Sequence, residues 1–265
     1  LGQLERIDAV KEELGLDFEC EAIDVRYDPR RRTAYAEELH KLRGRKGLTP
    51  EDAVRMLKST TYFAPMMVRM GDADGYLGGV SHHYPDIVRP CLHTIGPDPD
   101  SHRIVGMYMM TVNGQLMFIG DATINIYPDA RTLAEIAVQT AKVARRFGVK
   151  PKVAMLSFSN FGTSGELRTD RIEEAIAIAR ELDSDLIIDG PMQVDTALVP
   201  EIQKDYPFMS FEGPANILIC PNLASANIAY KLLQRIAGAE MTGPILEGLS
   251  KPAHVLQRGD SVRDV

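Results

Sequence analysis

Strand-like runs alternate with helical ones through most of this chain, and that alternation limits its fold more than any single motif does. Two apolar runs, 103–112 and 115–124, flank Asn113-Gly114, the dipeptide that most strongly signals a two-residue hairpin turn. An amphipathic helix follows at 129–146, with Gly148 placed to end it. Next come a buried run at 152–158, a helix at 169–182 and a short strand at 186–188 that leads into Asp189-Gly190. From Gly213 onward the pattern reads strand, turn and amphipathic helix, then a Gly-Pro-punctuated passage that ends in Arg258-Gly259-Asp260-Ser261. Helices placed between buried strands imply a largely parallel sheet covered on both faces, an α/β architecture.

The first hundred residues are less regular. Leu4 to Leu14 has helical spacing with Gly15 as its stop, and Phe18 to Val25 alternates weakly, as a strand would, before an Asp28-Pro29 turn. Arg30 to Arg32 and Lys41 to Lys46 read as a solvated charged face. Thr49-Pro50-Glu51-Asp52 opens a helix that runs to about Lys58. An apolar run at 62–70 leads through a Gly/Asp-rich segment to a short strand, and a helix is expected over Ile87 to Ile95 with Pro90 in its first turn. His82, His83 and His93 have no spacing tied to a third ligand, so they read as loop and helix-surface residues and no metal site is expected. The leading Leu-Gly reads as the tail of a strand cut short. With a first residue other than Met, it gives the expectation of a fragment of a longer polypeptide.

Bulk properties narrow the function classes. With 265 residues, 45% hydrophobic and 25% charged, the chain can bury one large core or two moderate ones. A net charge of −7 gives no reason to expect nucleic acid or an anionic membrane as partner. Apolar runs fall short of the roughly 20 residues that span a bilayer. Three widely spaced cysteines, Cys20, Cys91 and Cys220, point to buried thiols in a reducing, cytoplasmic setting.

In open α/β sheets ligands bind beyond the carboxyl ends of the strands, so four loops are candidates. Ser157 to Gly165, including Ser159, is rich in hydroxyls and glycines that can present N–H groups to a phosphate. Asp189 to Asp195 places carboxylates at a strand end, where capping is as good a reading as chemistry. Pro221-Asn222-Leu223 leads into a helix N-terminus, and Arg258 to Ser261 offers a guanidinium beside a hydroxyl. Neither a Walker A sequence nor a Gly-x-Gly-x-x-Gly is present.

The segments AMLSFSNFG (154–162), DLIIDGPMQVDTALVPEI (185–202), GPANILICPNL (213–223) and GPILEGLSKPAHVLQRGDSVRD (243–264) resemble the phosphate acetyltransferase family. So do VRPCLHTIG, GDATINIYPDARTLAEIA and KLRGRKGLTPEDA, and the likeness covers almost the whole chain in order. More narrowly, SNFG, GPANILICPNLASANIAYKLL and KPAHVLQRG are similar to the version fused to the C-terminus of bacterial NADP-dependent malic enzymes. The resemblance implies two three-layer lobes with mainly parallel sheets and a cleft, as in isocitrate and isopropylmalate dehydrogenases. The first lobe would comprise 1–98 plus 245–265 and the second 99–244. It further implies a ligand set for acetyl-CoA and phosphate made of Arg43, Arg89, Ser157, Ser159, Arg258, Gly259, Ser261 and Asp264. In active relatives arginines hold the phosphate, a carboxylate matched here by Asp264 takes the thiol proton, and a serine precedes the last arginine.

This chain reads Leu256-Gln257-Arg258-Gly259 at that point, has Phe161 where relatives often have lysine, and has His82-His83-Tyr84-Pro85-Asp86 before Arg89. A misplaced transition-state donor costs about 2.7 to 4 kcal/mol. The expectation is therefore that Gln257, Arg258 and Asp264 are vestigial and that the chain is a regulatory domain of an NADP-dependent malic enzyme. Acetyl-CoA or CoA would be its allosteric ligand. NADP and a divalent metal would belong to upstream malic-enzyme catalytic domains, and the assembly would be a homo-oligomer, a dimer or higher. Two alternatives stand beside it: an active phosphate acetyltransferase, and a ligand-free oligomerisation module using the 224–237 helix and the Met-rich hairpin.

Overall fold

In the computed structural model, which describes every residue except Asp100, His102, Asn113, 163–169, Arg258, Gly259, Ser261 and 263–265, the chain divides into two units, 1–98 with 249–259 and 99–248 with 260–265. The first unit is mostly helical. It contains helices α1 (Leu4–Glu13), α2 (Pro29–Arg43), α3 (Pro50–Met56), α4 (Thr60–Met70) and α5 (Tyr84–Thr94) and the strand β1 (Tyr76–Gly78), which pairs in parallel with β8 (Ala253–Val255) from the returning tail. Its core gathers Tyr35 and Leu39 from α2, Ala53 from α3, and Phe63 and Met66 from α4.

Several local expectations change here. Phe18 to Val25 forms no strand: Gly2 N donates to Ile23 O at 3.0 Å, and Asp24 instead caps a 3-10 turn at Val25–Tyr27 by accepting from Arg26 N at 2.9 Å. Asp28-Pro29 opens α2, with Asp28 Oδ1 accepting from Arg31 N at 3.0 Å and Pro29 at the first helical position. The positive runs therefore lie along and just beyond a 15-residue helix whose buried apolar side is only Tyr35, Ala36 and Leu39. Helix α5 begins at Tyr84 and carries Pro90 inside it rather than in its first turn. The Pro90 carbonyl then accepts from Thr94 Oγ1 at 2.8 Å. Cys20 is exposed, contrary to the expectation of three buried thiols, whereas Cys91 and Cys220 are buried.

The second unit is built on period-two burial. Its sheet contains β2 (Val105–Val112), β3 (Gln115–Gly120), β4 (Val153–Leu156), β5 (Ile188–Met192), β6 (Ile217–Ile219) and β7 (Glu240–Glu247) in the order β5-β4-β6-β3-β2-β7. β5, β4, β6 and β3 run parallel, and β2 is antiparallel to both β3 and β7. The hairpin forms where Asn113-Gly114 predicts it, with Val112 opposite Gln115. Val153, Met155, Ile217 and Ile219 face a core closed by α6 (Ala130–Arg146) and α7 (Asp170–Leu182). Ala154, Leu156 and Leu218 face the opposite core, with Ala197 from the short α8 (Val194–Leu198) and Ala226 and Tyr230 from α10 (Leu223–Ile236). A four-residue α9 (Pro200–Gln203) lies between them in sequence. The sheet is thus covered on both faces, as buried parallel strands require. β7 stays paired with β2 through Val105↔Glu247, so the chain returns to the first unit after Gly248, where 245 had been expected.

Candidate functional site

Two regions carry polar side chains in concentration, one in each unit. In the first unit, α2 ends at Arg43, and a 3-10 turn, Gly44–Lys46, brings Lys46 directly after it. Arg89 and His93 stand four residues apart on α5, and hence on one face. The Tyr62 hydroxyl of α4 lies 2.9 Å from His93 Nδ1, with the two ring centroids 6.1 Å apart. Burial holds the His93 imidazole below its ordinary range, and the charges of Arg43, Arg89 and Lys46 add to the effect. Burial likewise raises Tyr62, with Arg89 and Arg43 working against it. The side chains of Arg43, Lys46 and Arg89 have no ion-pair or hydrogen-bond partner among the described residues. Three cations whose charge converges on one neutral imidazole, with no carboxylate to offset them, form a site that suits an anion.

His93 is therefore not the surface histidine expected from sequence but a half-buried member of this cluster. His82 lies apart from the cluster's contacts, with its Nδ1 3.1 Å from Ser81 Oγ. Among the described residues no group of three or more His, Cys, Asp or Glu is arranged to hold a metal ion.

In the second unit the carboxyl ends of β3, β4, β5 and β6 are laced together. Gly120 ends β3 hard against β6 and α6: a Cβ there would meet Ile219 Cδ1 at 2.5 Å and Ile136 Cγ2 at 2.9 Å. Asp121 follows with φ 33°, a left-handed conformation that few non-glycine residues adopt. Its buried carboxylate accepts from Gly106 N at 3.2 Å, Ile124 N at 3.0 Å and Asn125 N at 2.8 Å, and also from Asn125 Nδ2. Arg171 of α7 donates from both terminal nitrogens at 3.0 Å, one to Pro128 O and one to Pro221 O, and so ties the loop after β3 to the loop after β6. Asn222 caps α10 by accepting from Ser225 N at 3.0 Å.

The loop after β4 is held the same way. Ser157 N donates to Met192 O at 2.8 Å and Phe161 N to Pro191 O at 2.7 Å, while Asn160 Oδ1 accepts from Gln193 N at 2.8 Å. Ser159 is buried and Ser157 half-buried. Phe161, at φ 48°, packs its ring against Tyr206 and Phe208 with centroids 5.1 and 4.9 Å away. Asp189 lies inside β5 rather than past its end, and its carboxylate accepts from Gly190 N at 2.8 Å and Ser210 N at 2.6 Å. Asp195 accepts from Thr196 N at 2.8 Å. Both carboxylates are thus engaged by backbone N–H groups, Asp189 across to Ser210 and Asp195 within α8.

Of the residues expected to bind ligand, Arg43 and Arg89 come together in the first unit, and Ser157 and Ser159 lie together in the second. Gln257 is half-buried two residues past β8; Arg258, Gly259, Ser261 and Asp264 lie outside the described residues. Tyr62, Lys46, Asp121 and Arg171 were not expected as members of either region. The Arg89/His93 spacing on one helix could have pointed to the cluster, but nothing in the sequence ties Tyr62 to His93 or Arg171 to two prolyl carbonyls.

The family model described as phosphate acetyl/butaryl transferase matches residues 1–265. The chain is 38% identical to a phosphate acetyltransferase of Corynebacterium glutamicum, covering all of this chain and 81% of that protein. It is 36% identical to one of Helicobacter pylori, again over its whole length but over only 51% of the relative, so it spans about half of that protein. Among solved structures, a phosphotransacetylase from Streptococcus pyogenes superposes with a TM-score of 0.89 at 38% identity, covering 99% of this chain and 80% of that one. These relatives overturn the expectation of a malic-enzyme regulatory domain with its oxidoreductase chemistry: they are named as transferases, and the match runs the length of the chain. Gln257, Phe161 and the 82–86 segment differ from the expected family pattern, but three local changes weigh less than likeness over a whole chain.

Proposed function

The chain belongs to the phosphate acetyl/butaryl transferase family, and from that premise we propose that it transfers an acetyl group between CoA and inorganic phosphate. Acetyl-CoA is then a substrate rather than an allosteric ligand. A phosphate oxygen attacks the thioester carbonyl, the C–S bond breaks as the new C–O bond forms, and the proton carried by the phosphate ends on the CoA thiol. The chemistry needs phosphate held with its charge screened, and a hydrogen-bond donor near the carbonyl oxygen as negative charge develops there.

The single observation that carries this reading is the convergence of Arg43, Lys46 and Arg89 on the Tyr62–His93 pair without an acidic partner among the described residues. Guanidinium groups match phosphate oxygens two at a time, which orients the nucleophile as well as neutralising it. Ser157 and Ser159, on the loop after β4, are assigned to the CoA side of the reaction, and Arg258, Gly259, Ser261 and Asp264 keep the roles the family resemblance gives them. Gln257 keeps an N–H donor at the position where relatives have a serine hydroxyl. A homo-oligomer is part of the same proposal.

The test is to supply purified protein with acetyl phosphate and CoA and follow thioester formation, then run the reverse reaction from acetyl-CoA and phosphate. Turnover in both directions that Arg89→Ala lowers about thirty-fold or more supports the proposal. Absence of turnover in a folded protein that nevertheless binds phosphate would overturn it.

A further inference from the structure

We propose that Tyr62 and His93 form a proton-linked floor to the Arg43/Lys46/Arg89 site, so that an anion arriving there draws a proton onto His93 and turns the Tyr62 hydroxyl toward the anion. The inference rests on the reading of this cluster as the phosphate site and adds to it two positioning residues and a coupling.

The geometry allows two states of one hydrogen bond. With Tyr62 Oη 2.9 Å from His93 Nδ1, either atom can be the donor. When His93 is neutral with its proton on Nε2, Nδ1 accepts and the Tyr62 O–H is spent on the imidazole. When His93 is protonated, Nδ1–H donates to the Tyr62 oxygen. The phenolic proton must then point elsewhere, and it becomes available to an anion. The ring contact, 6.1 Å between centroids, keeps the pair aligned in both states.

The surroundings set the direction of the coupling. The charged groups that act on His93 are Arg43 from α2, Lys46 from the turn after it, and Arg89 from one turn earlier on α5 itself. Tyr62 faces the ring from α4, and β8 packs against α5 through apolar Ala253, with His254 exposed on the strand's other side. Burial and three positive charges all disfavour the imidazolium in the empty site. A bound dianion supplies the opposite charge and lifts that penalty, so binding and protonation favour each other, and each must do so by the same factor. Affinity therefore rises as the pH falls toward and below the imidazole range, and it levels off once His93 is protonated in both free and bound protein.

The experiment uses sulfate, whose charge is constant over pH 5 to 8, beside inorganic phosphate, on the whole chain. In the native protein sulfate affinity is expected to rise as the pH is lowered from 8 through the imidazole range, by at most about tenfold if binding raises the His93 pKa by about one unit. His93→Gln, with an amide able to keep the Tyr62 contact, should bind sulfate with an almost flat pH profile. Tyr62→Phe should lose a few-fold in affinity at low pH while keeping proton uptake. With 6 histidines in the chain, a nitrogen-labelled histidine titration of the native protein, with and without phosphate, reads the same coupling without any substitution. If His93→Gln keeps the native pH profile, or if no histidine moves upward on phosphate binding, the coupling is wrong even though the site stands. If neither anion binds the native protein, the phosphate-site reading fails and the coupling falls with it.

Discussion

The cationic corner of the first unit and the laced strand ends of the second use polar side chains in opposite ways. At the strand ends they are consumed by the fold: Asp121 receives donors from β2 and from its own loop, Arg171 spans two loops, and Asp189 ties β5 to Ser210. In the corner, Arg43, Lys46 and Arg89 meet no described counter-charge, and their effect falls on a neutral histidine instead. A charged group engaged in local bonds reports on folding. One left unengaged beside others of like sign costs stability, and such a cluster persists where a ligand of opposite charge completes it.

The largest expected effect comes from removing a cation. Arg89→Ala should lower kcat/KM for phosphate by about thirty-fold or more, the equivalent of at least 2 kcal/mol for deleting one partner of a charged contact. Rates measured against phosphate concentration check it, and circular dichroism should be unchanged. Next is Asp121→Asn, which sets an amide against backbone N–H groups that need an acceptor. Unfolding in urea should register a loss of about 3 kcal/mol. Phosphate affinity of the remaining folded protein should stay within about twofold, because the Asp121 bonds lie in the second unit. Were Asp121→Asn to weaken phosphate as much as Arg89→Ala does, the division of labour between the regions would collapse.

A smaller effect sharpens the same contrast. Asp129 caps α6 by accepting from Thr132 N at 2.8 Å, and its hydrogen bonds with Thr132 hold its carboxyl below the ordinary value of 3.8. A depressed folded value means the cap's contribution is complete above the unfolded pKa and is lost as the pH falls through the lower, folded one. Asp129→Ala should cost about 1 kcal/mol at neutral pH, and the gap between variant and native unfolding curves should close in strong acid. Smallest of all, a thiol reagent should modify exposed Cys20 quickly with no change in turnover. Burial pushes Cys91 to about 12 and Cys220 to about 11, so both stay unreactive thiols while the protein is folded.

Much of the second unit was legible because its signals are local and agree with one another. Asn113-Gly114 between apolar runs gives the hairpin, and the apolar face of 129–146 gives α6. The first unit was harder to read. Helix α2 hides under a positive run because only three of its residues are buried, so charge outweighed periodicity. The weak alternation at 18–25 has no strand to pair with among the described residues and yields to the Asp24 cap. At the site, Arg43 and Arg89 were legible only through family likeness. Tyr62–His93 joins side chains 31 positions apart on different helices, a contact that no spacing rule predicts. Expecting catalysis to be lost gave the chemistry of one side chain, Gln257, more weight than the pattern of the whole chain.

The parallel pairing of β1 with β8 has a consequence for synthesis. Tyr76, Leu77 and Gly78 align with Ala253, His254 and Val255, so the only strand partner of β1 among the described residues is made after residues 99–248 of the second unit. On a ribosome the helices of the first unit can collapse early, but β1 must wait with an open edge while every strand of the sheet β5-β4-β6-β3-β2-β7 emerges. A nascent chain arrested before residue 253 should therefore present that edge to chaperones, and the emergence of 253–255 should be the event that hides it.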